Sequence, residues 1–284
     1  MPNLLDIRRR IKSTKNTQQI TKAMKMVSAS RLRRTSERAM GARPYAERIE
    51  AVHASILARL PEADSEYYRQ KEGKTLIVAL AGDKGLCGAF NANIFKQAEK
   101  MLAQRGVENC LLMTIGKKPT VHFRRHDAMF ESFSDVFRDV SFALAENISQ
   151  VLIKSFASGE CARVVLLYNK FKNVLVQEVT EQPLLPLEPK TQSDAVNQGG
   201  VEHLAEPSLQ EILEDLAPRV VTTQVYQALL ESCASEHAAR MTAMDAATNN
   251  AKDMIEKLTL EMNKARQAAI TTELIEVVSG AAAL

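Results

Sequence analysis

The stretch whose residue types best suit chemistry is Gly82 to Asn91, GDKGLCGAFN, which follows the apolar run Thr75 to Ala81 (TLIVALA). A glycine turn between a strand and a helix can aim backbone N–H groups at a phosphate, but glycines also simply permit tight turns. The spacing here is GxxGxxG; it lacks the GxGxxG of a dinucleotide turn and the GK[ST] ending of a phosphate loop. Asp83 and Lys84 are therefore read as surface turn residues. Cys87 is read as a packed thiol rather than a nucleophile, because no histidine lies near it in the sequence. Cys87, Cys110, Cys161 and Cys233 stand too far apart for a CxxC-type metal site and are expected to be buried or idle thiols in a reducing compartment. His237 falls in the packing phase of a long helix and is read as a packing residue. No catalytic constellation, metal or cofactor is expected.

The elements around that turn alternate in kind. Apolar runs at Thr75–Ala81, Cys110–Ile115 and Val164–Tyr168 read as strands. Helical stretches are expected at about Asn91–Gln104, Lys117–Arg125 and Ser141–Ala157, with a further edge strand at Val174–Val179. Strands separated by helices indicate βαβ units and a parallel sheet. All nine phenylalanines lie between Phe90 and Phe171, as a compact core requires.

Two rods bracket this middle. From Arg219 to Ser279 there is neither glycine nor proline, and Met241, Met244, Thr248, Ala251, Ile255, Leu258, Met262, Ala265, Ala269 and Thr272 recur at alternating steps of three and four. That is the repeat of a coiled-coil seam, with small and polar members that bury little area. At the other end, Leu4, Ile7, Ile11, Ile20, Met24 and Val27 mark a first helix, Gly41 and Pro44 a possible bend, and Tyr45 to Leu60 a continuation. The expected fold class is α/β, with a long antiparallel coiled coil of the N- and C-terminal helices and a central α/β domain. The expected divisions are residues 1–60, 74–182, a proline-containing connector at 183–207, and 208–284.

Charge is distributed unevenly. Residues 1–34 carry ten Lys or Arg against one Asp, a balance of +9 within +3 overall, so the remainder carries −6. A basic coiled-coil protein that binds nucleic acid is one reading, although the arm has no aromatic residue before Tyr45 and no zinc spacing. An acidic protein surface is an equally suitable partner, and a merely solvated basic face is the bland reading. No apolar run approaches the roughly 18 residues of a membrane span. The charged start does not read as a secretory signal, and its pattern continues into the helix instead of ending as a transit peptide.

Four strings carry a resemblance: ITKAMKMVSASRLRR at Ile20–Arg34, GDKGLCGAFN at Gly82–Asn91, ASEHAARMTAMDAATNNA at Ala234–Ala251 and NKARQAAITTELIEVVSGAAAL at Asn263–Leu284. Together they resemble the γ subunits of F-type ATP synthases, and the last matches that signature at Ile270, Thr271, Glu273, Glu276, Gly280, Ala281 and Ala283. The resemblance implies a Rossmann-like central domain and two terminal helices that turn inside a ring of three α and three β subunits. It further implies a foot that joins the ε subunit and the membrane c ring, at the cytoplasmic face of a bacterial inner membrane, with no active site and no cofactor in this subunit. By the same resemblance Lys22, Met24 and Lys25, with Arg266, Gln267, Ile270, Thr271, Glu273 and Glu276, would contact the catalytic ring. No inserted cysteine pair of the chloroplast redox kind is present, so redox gating is not expected.

Both rods leave one domain and so must run antiparallel. Residues 219–284 outnumber residues 3–58, and an overhang of about ten residues, roughly 15 Å, is expected at the C-terminal end. Its stripe of Ile270, Leu274, Val277, Val278 and Ala281 is apolar, and such a surface calls for a covering partner.

Overall fold

The computed structural model describes residues 4–60, 65–187, 206 and 208–282. In chain order the elements are α1 (Leu4–Arg59), β1 (Thr75–Leu80), α2 (Phe90–Arg105), β2 (Cys110–Ile115), α3 (Lys117–Phe123), β3 (Met129–Phe133), α4 (Phe142–Ala157), β4 (Arg163–Phe171), β5 (Gln177–Leu185) and α5 (Leu209–Ala282). They form two compact units: Met1–Ala29 with Arg240–Leu284, and Ser30–Ala239. The division cuts both long helices, so the second unit takes in parts of the segments expected to be pure coil.

In the second unit a five-stranded sheet has the order β3-β2-β1-β4-β5, with β5 antiparallel and the other neighbours parallel. Every residue of β1 is buried, as a parallel strand covered on both faces must be. Its alternate side chains feed two cores. Leu76, Val78 and Leu80 pack with Ile148 and Leu152 of α4, Val221 and Leu229 of α5, and Ile49 of α1. Ile77 and Ala79 pack with Ile94, Ala98 and Leu102 of α2 and Phe123 of α3. Each fully buried Leu or Ile contributes about 1.5–3 kcal/mol. Ser141 caps α4 by accepting the Leu144 N–H at 3.2 Å.

Several boundaries differ from expectation. β3 went unread because Met129-Phe-Glu-Ser-Phe133 is a half-covered edge whose polar and apolar residues do not alternate cleanly. The expected edge strand at Val174–Val179 starts later, at Gln177. The Asn173 side chain accepts the N–H groups of Leu175 and Val176 at 2.9 and 2.8 Å and turns the chain there first. β5 also runs three residues into the expected connector. Pro183 is tolerated on this edge strand, where the register with β4 shifts, and Leu184 and Leu185 join the core. The rest of that connector lies largely outside the described residues.

Gly41 and Pro44 do not end α1, and Pro218 lies inside α5. A proline deprives the carbonyl four residues earlier of its donor. Those carbonyls belong to Met40 and Glu214, both exposed residues, so water can take the donor's place.

Candidate functional site

In the first unit, α1 and α5 form an antiparallel pair. Thr14 Oγ1 lies 4.0 Å from Met254 Sδ, Thr21 Oγ1 2.8 Å from Thr248 Oγ1, and Lys25 Nζ 2.6 Å from Asp245 Oδ1. Within this unit Leu4, Ile7, Ile11, Thr14, Gln18, Thr21, Lys25 and Ser28 of α1 are shielded, at alternating steps of three and four, with Met24 and Ala29 half-buried beside them. Ile20 and Val27, expected in this stripe, are instead 60% and 54% exposed. Their places in the seam are held by threonine, glutamine, lysine and serine. On α5 the expected seam from Met241 to Ala269 is shielded throughout; only its last member, Thr272, is exposed.

The three contacts join residues whose numbers sum to 268–270, so Leu4 comes level with about Ala265. Beyond that point, every residue from Ile270 to Ser279 is exposed, including Leu274, Val277 and Val278 at 60%, 70% and 66%. The overhang is longer than expected because α5 starts at Leu209 rather than near Arg219, giving it 74 residues against 56 for α1.

Of the expected contact residues, Lys22 is exposed, Met24 is half-buried, and Lys25 is engaged with Asp245 inside the pair. That ion pair is 41% and 47% exposed on its two sides, and contacts of this kind contribute only about 0–1 kcal/mol. Arg266, Gln267, Ile270, Thr271, Glu273 and Glu276 are all exposed. They stand at another level: Arg266 follows Asp245 by 21 residues, about 32 Å along the helix. The structure thus presents two surfaces, one on the flank of the pair and one on its unpaired end. The part-buried Thr21–Thr248 contact and the Lys25–Asp245 pair were missed in the sequence. Extending the three–four spacing of Leu4, Ile7 and Ile11 through polar residues would have found them.

In the second unit the glycine turn serves as a structural tie. Asp83 was read as a surface turn residue, but its carboxylate accepts three backbone N–H groups: Lys117 at 2.8 Å and Asp135 at 3.1 Å on Oδ1, and Phe137 at 2.9 Å on Oδ2. It binds together the chain that follows β1, β2 and β3. The Gly82 N–H donates to Asn91 Oδ1 at 2.9 Å. Gly116 adopts φ +107°, and a Cβ there would meet the Ala81 carbonyl oxygen at 1.9 Å, so only glycine fits.

Open sheets of this order bind ligands outside the carboxyl ends of the strands, where the strand order reverses. Here that place lies between β1 and β4, and α5 reaches it. A Cβ on Gly82 would come within 2.8 Å of the Glu236 carboxyl. Ser235 Oγ donates to the Asn169 carbonyl at 2.9 Å. Lys84 is exposed.

The thiols are also structural. Cys87 packs with Phe90 and Ala239, and all four cysteines are free and buried. Burial pushes the Cys161 thiol up to about 11, with Glu160 adding to the effect, and pushes Cys110 up as well. His237 is buried, as its helical phase implied. Among the described residues no cluster of His, Cys, Asp or Glu could hold a metal ion, and no helix is long and apolar enough to cross a membrane.

A unit of two paired antiparallel helices, the longer left bare at one end, and a second unit built on a doubly wound sheet define the class of α/β proteins with long terminal helices. The family model described as ATP synthase matches residues 3–284. An ATP synthase gamma chain of Geotalea daltonii is 44% identical over 285 residues, covering 99% of this chain and 98% of that one. One from Chlorobium chlorochromatii is 42% identical, covering 100% and 99%. Among solved structures, a chain of the Tetrahymena thermophila mitochondrial ATP synthase central stalk and c ring superposes with a TM-score of 0.63 at 29% identity, covering 80% of this chain and 99% of that one. A chain of the Euglena gracilis mitochondrial ATP synthase, at 19% identity, shares the fold with a TM-score of 0.67, covering 99% and 94%. The chain belongs to the ATP synthase gamma-chain family.

Proposed function

We infer that this chain acts mechanically and carries no active site of its own. It is the rotor subunit of an F-type ATP synthase, part of the central stalk. In the proposed assembly the paired helices stand inside a ring of three α and three β subunits, and the α/β unit joins the ε subunit and the membrane c ring at the cytoplasmic face of a bacterial membrane. Lys22, Met24 and Lys25 form one contact level with the ring; Arg266, Gln267, Ile270, Thr271, Glu273 and Glu276 form the other.

The observation that carries this reading is the family match from residue 3 to residue 284, which takes in the basic helix, the glycine turn and the bare end alike. Because the match covers the basic helix, its charge is assigned to a protein surface rather than to nucleic acid. The chemistry agrees with that role. Exposed lysines and arginines make weak, exchangeable contacts, and apolar contact at the bare end is non-directional. Both suit a part that must turn against similar partners. The reading that the chain carries no active site is supported by the Asp83 tie and by α5, whose Glu236 and Ser235 approach Gly82 and Asn169 at the ends of β1 and β4.

Co-expression with α and β subunits tests the reading. The chain is expected to purify with them at one copy per three of each, and alone to give no saturable heat with Mg-ATP. An α/β ring that assembles and purifies with the chain left behind would overturn the assignment.

A further inference from the structure

One cleft of the α/β unit has an unmet chemical requirement. It has a volume of about 600 Å³ and lies between α1 at Arg43–Glu50, α5 at Gln224–Glu231 and the β4–β5 pair at Tyr168 and Gln182. That volume lies within the usual range for small-molecule sites, about 300–1,000 Å³.

Glu231, only 3% exposed, lines it. Its Oε1 accepts from Arg43 Nη2 at 3.1 Å and from Gln227 Nε2 at 2.9 Å. Its Oε2 is buried with no hydrogen-bond partner, and so is the Oε1 of Gln227, whose amide nitrogen is already directed at Glu231. A buried polar atom without a partner is costly, more so when charged. The groups left unsatisfied in this wall are therefore acceptors.

The donors of Tyr168, Gln224 and Arg43 are already committed. The Tyr168 hydroxyl donates to Gln182 Oε1 at 3.1 Å, and the Gln224 amide to Glu50 Oε1 at 3.1 Å. Burial holds the proton on Tyr168, and the Glu231 carboxylate reinforces it. The carboxylates of Glu47 and Glu50 line the same cleft. Arg43 is paired with Glu231, and exposed Lys170 stands across the strands from Glu178, which is itself paired with Lys172. An anion would meet unpaired acceptors here. A group that brings several N–H donors and a positive charge would satisfy them.

We propose that this cleft binds a guanidinium or primary ammonium group, seated on Glu231 Oε2 and Gln227 Oε1 and carried either by a free small molecule or by a side chain of a partner subunit. The planar fork of a guanidinium suits two neighbouring acceptors.

Agmatine, which carries one guanidinium and one ammonium, is the probe. Calorimetric titration of the full chain is expected to show one saturable site, with no heat from glutarate, a dianion of similar length. Glu231→Gln is expected to weaken agmatine binding about tenfold, the loss of one charge-assisted hydrogen bond. The double variant E47Q/E50Q leaves the Arg43–Glu231 pair in place and is expected to weaken binding severalfold, with unchanged circular dichroism.

Repeating the titration on the assembled complex separates the sources. Retained binding indicates a free ligand, and loss only in the complex indicates a partner side chain. Absence of saturable binding in the isolated chain would overturn the proposal. So would equal affinity in the wild type and both variants, which would mean that water alone satisfies the two oxygens. The titration of the isolated chain is independent of the rotor assignment.

Discussion

Thr21 and Thr248 face each other across the helical pair with their hydroxyl oxygens 2.8 Å apart, and Thr21 is only 8% exposed. Each hydroxyl also has a carbonyl of its own helix in reach, Gln18 at 3.0 Å from Thr21 Oγ1 and Met244 at 2.7 Å from Thr248 Oγ1, so one proton goes to the backbone while the other crosses the seam. Threonine lets the helices approach closely where leucine would hold them apart. The contact fixes register with direction rather than with bulk.

A double-mutant cycle measures that contact. Thr21→Val alone leaves the Thr248 hydroxyl without its partner across the seam and should destabilise the pair by about 1 kcal/mol; the double Val variant should recover most of the loss. Thermal unfolding of the four proteins gives the coupling. Strict additivity would mean that the two hydroxyls do not interact in solution.

Asp83 should be far more sensitive to mutation than a turn residue. Asp83→Ala removes the acceptor for three backbone N–H groups and is expected to cost about 2–4 kcal/mol in urea unfolding. Lys84→Ala, one residue on and exposed, should change stability by less than about 0.5 kcal/mol. Similar small effects for both would dismiss the tie.

His53 gives the α/β unit a pH dependence. Its ring is 6% exposed, stacks on Tyr68 and shares a 2.6 Å hydrogen bond between Nε2 and the tyrosine hydroxyl. Burial lowers its pKa from 6.5, with Glu50 acting in the opposite sense. A depressed folded pKa favours the neutral ring in the native state. Its contribution is therefore complete above pH 6.5 and is lost as pH falls towards the folded value. Stability measured between pH 7.5 and pH 5, set about the ordinary histidine value of roughly 6.5, should decline less steeply in His53→Gln. An unchanged slope would assign the decline to other groups.

The bare end of α5 should be stabilised by assembly. Amides from Ile270 to Ser279 are expected to exchange quickly in the isolated chain, because no second helix covers them, and to become protected in the complex. Equal protection in both states would show that this segment is covered by its own chain.

Legibility followed local pattern. The alternation of apolar runs and helices marked β1, β2, β4, α2 and α4 closely, because strands buried on both faces and amphipathic helices carry their burial in their own residues. The clustering of phenylalanines placed the core, and the spacing from Met241 to Ala269 marked the α5 seam. Gly82–Asn91 was legible as a turn between a strand and a helix from its glycine spacing.

What only the tertiary structure decided was the use of polar groups. Thr14, Gln18, Thr21, Lys25 and Ser28 carry no hydrophobic signal, and only the facing helix makes them a seam while Ile20 and Val27 turn outwards. Asp83 looked like any turn aspartate until three N–H groups from distant loops converged on it. Glu231 became a buried carboxylate with an unsatisfied oxygen through Arg43, 188 residues away. Apolar burial is written locally because each residue contributes its own area. A hydrogen bond belongs to two groups at once, and its second partner is set by the fold.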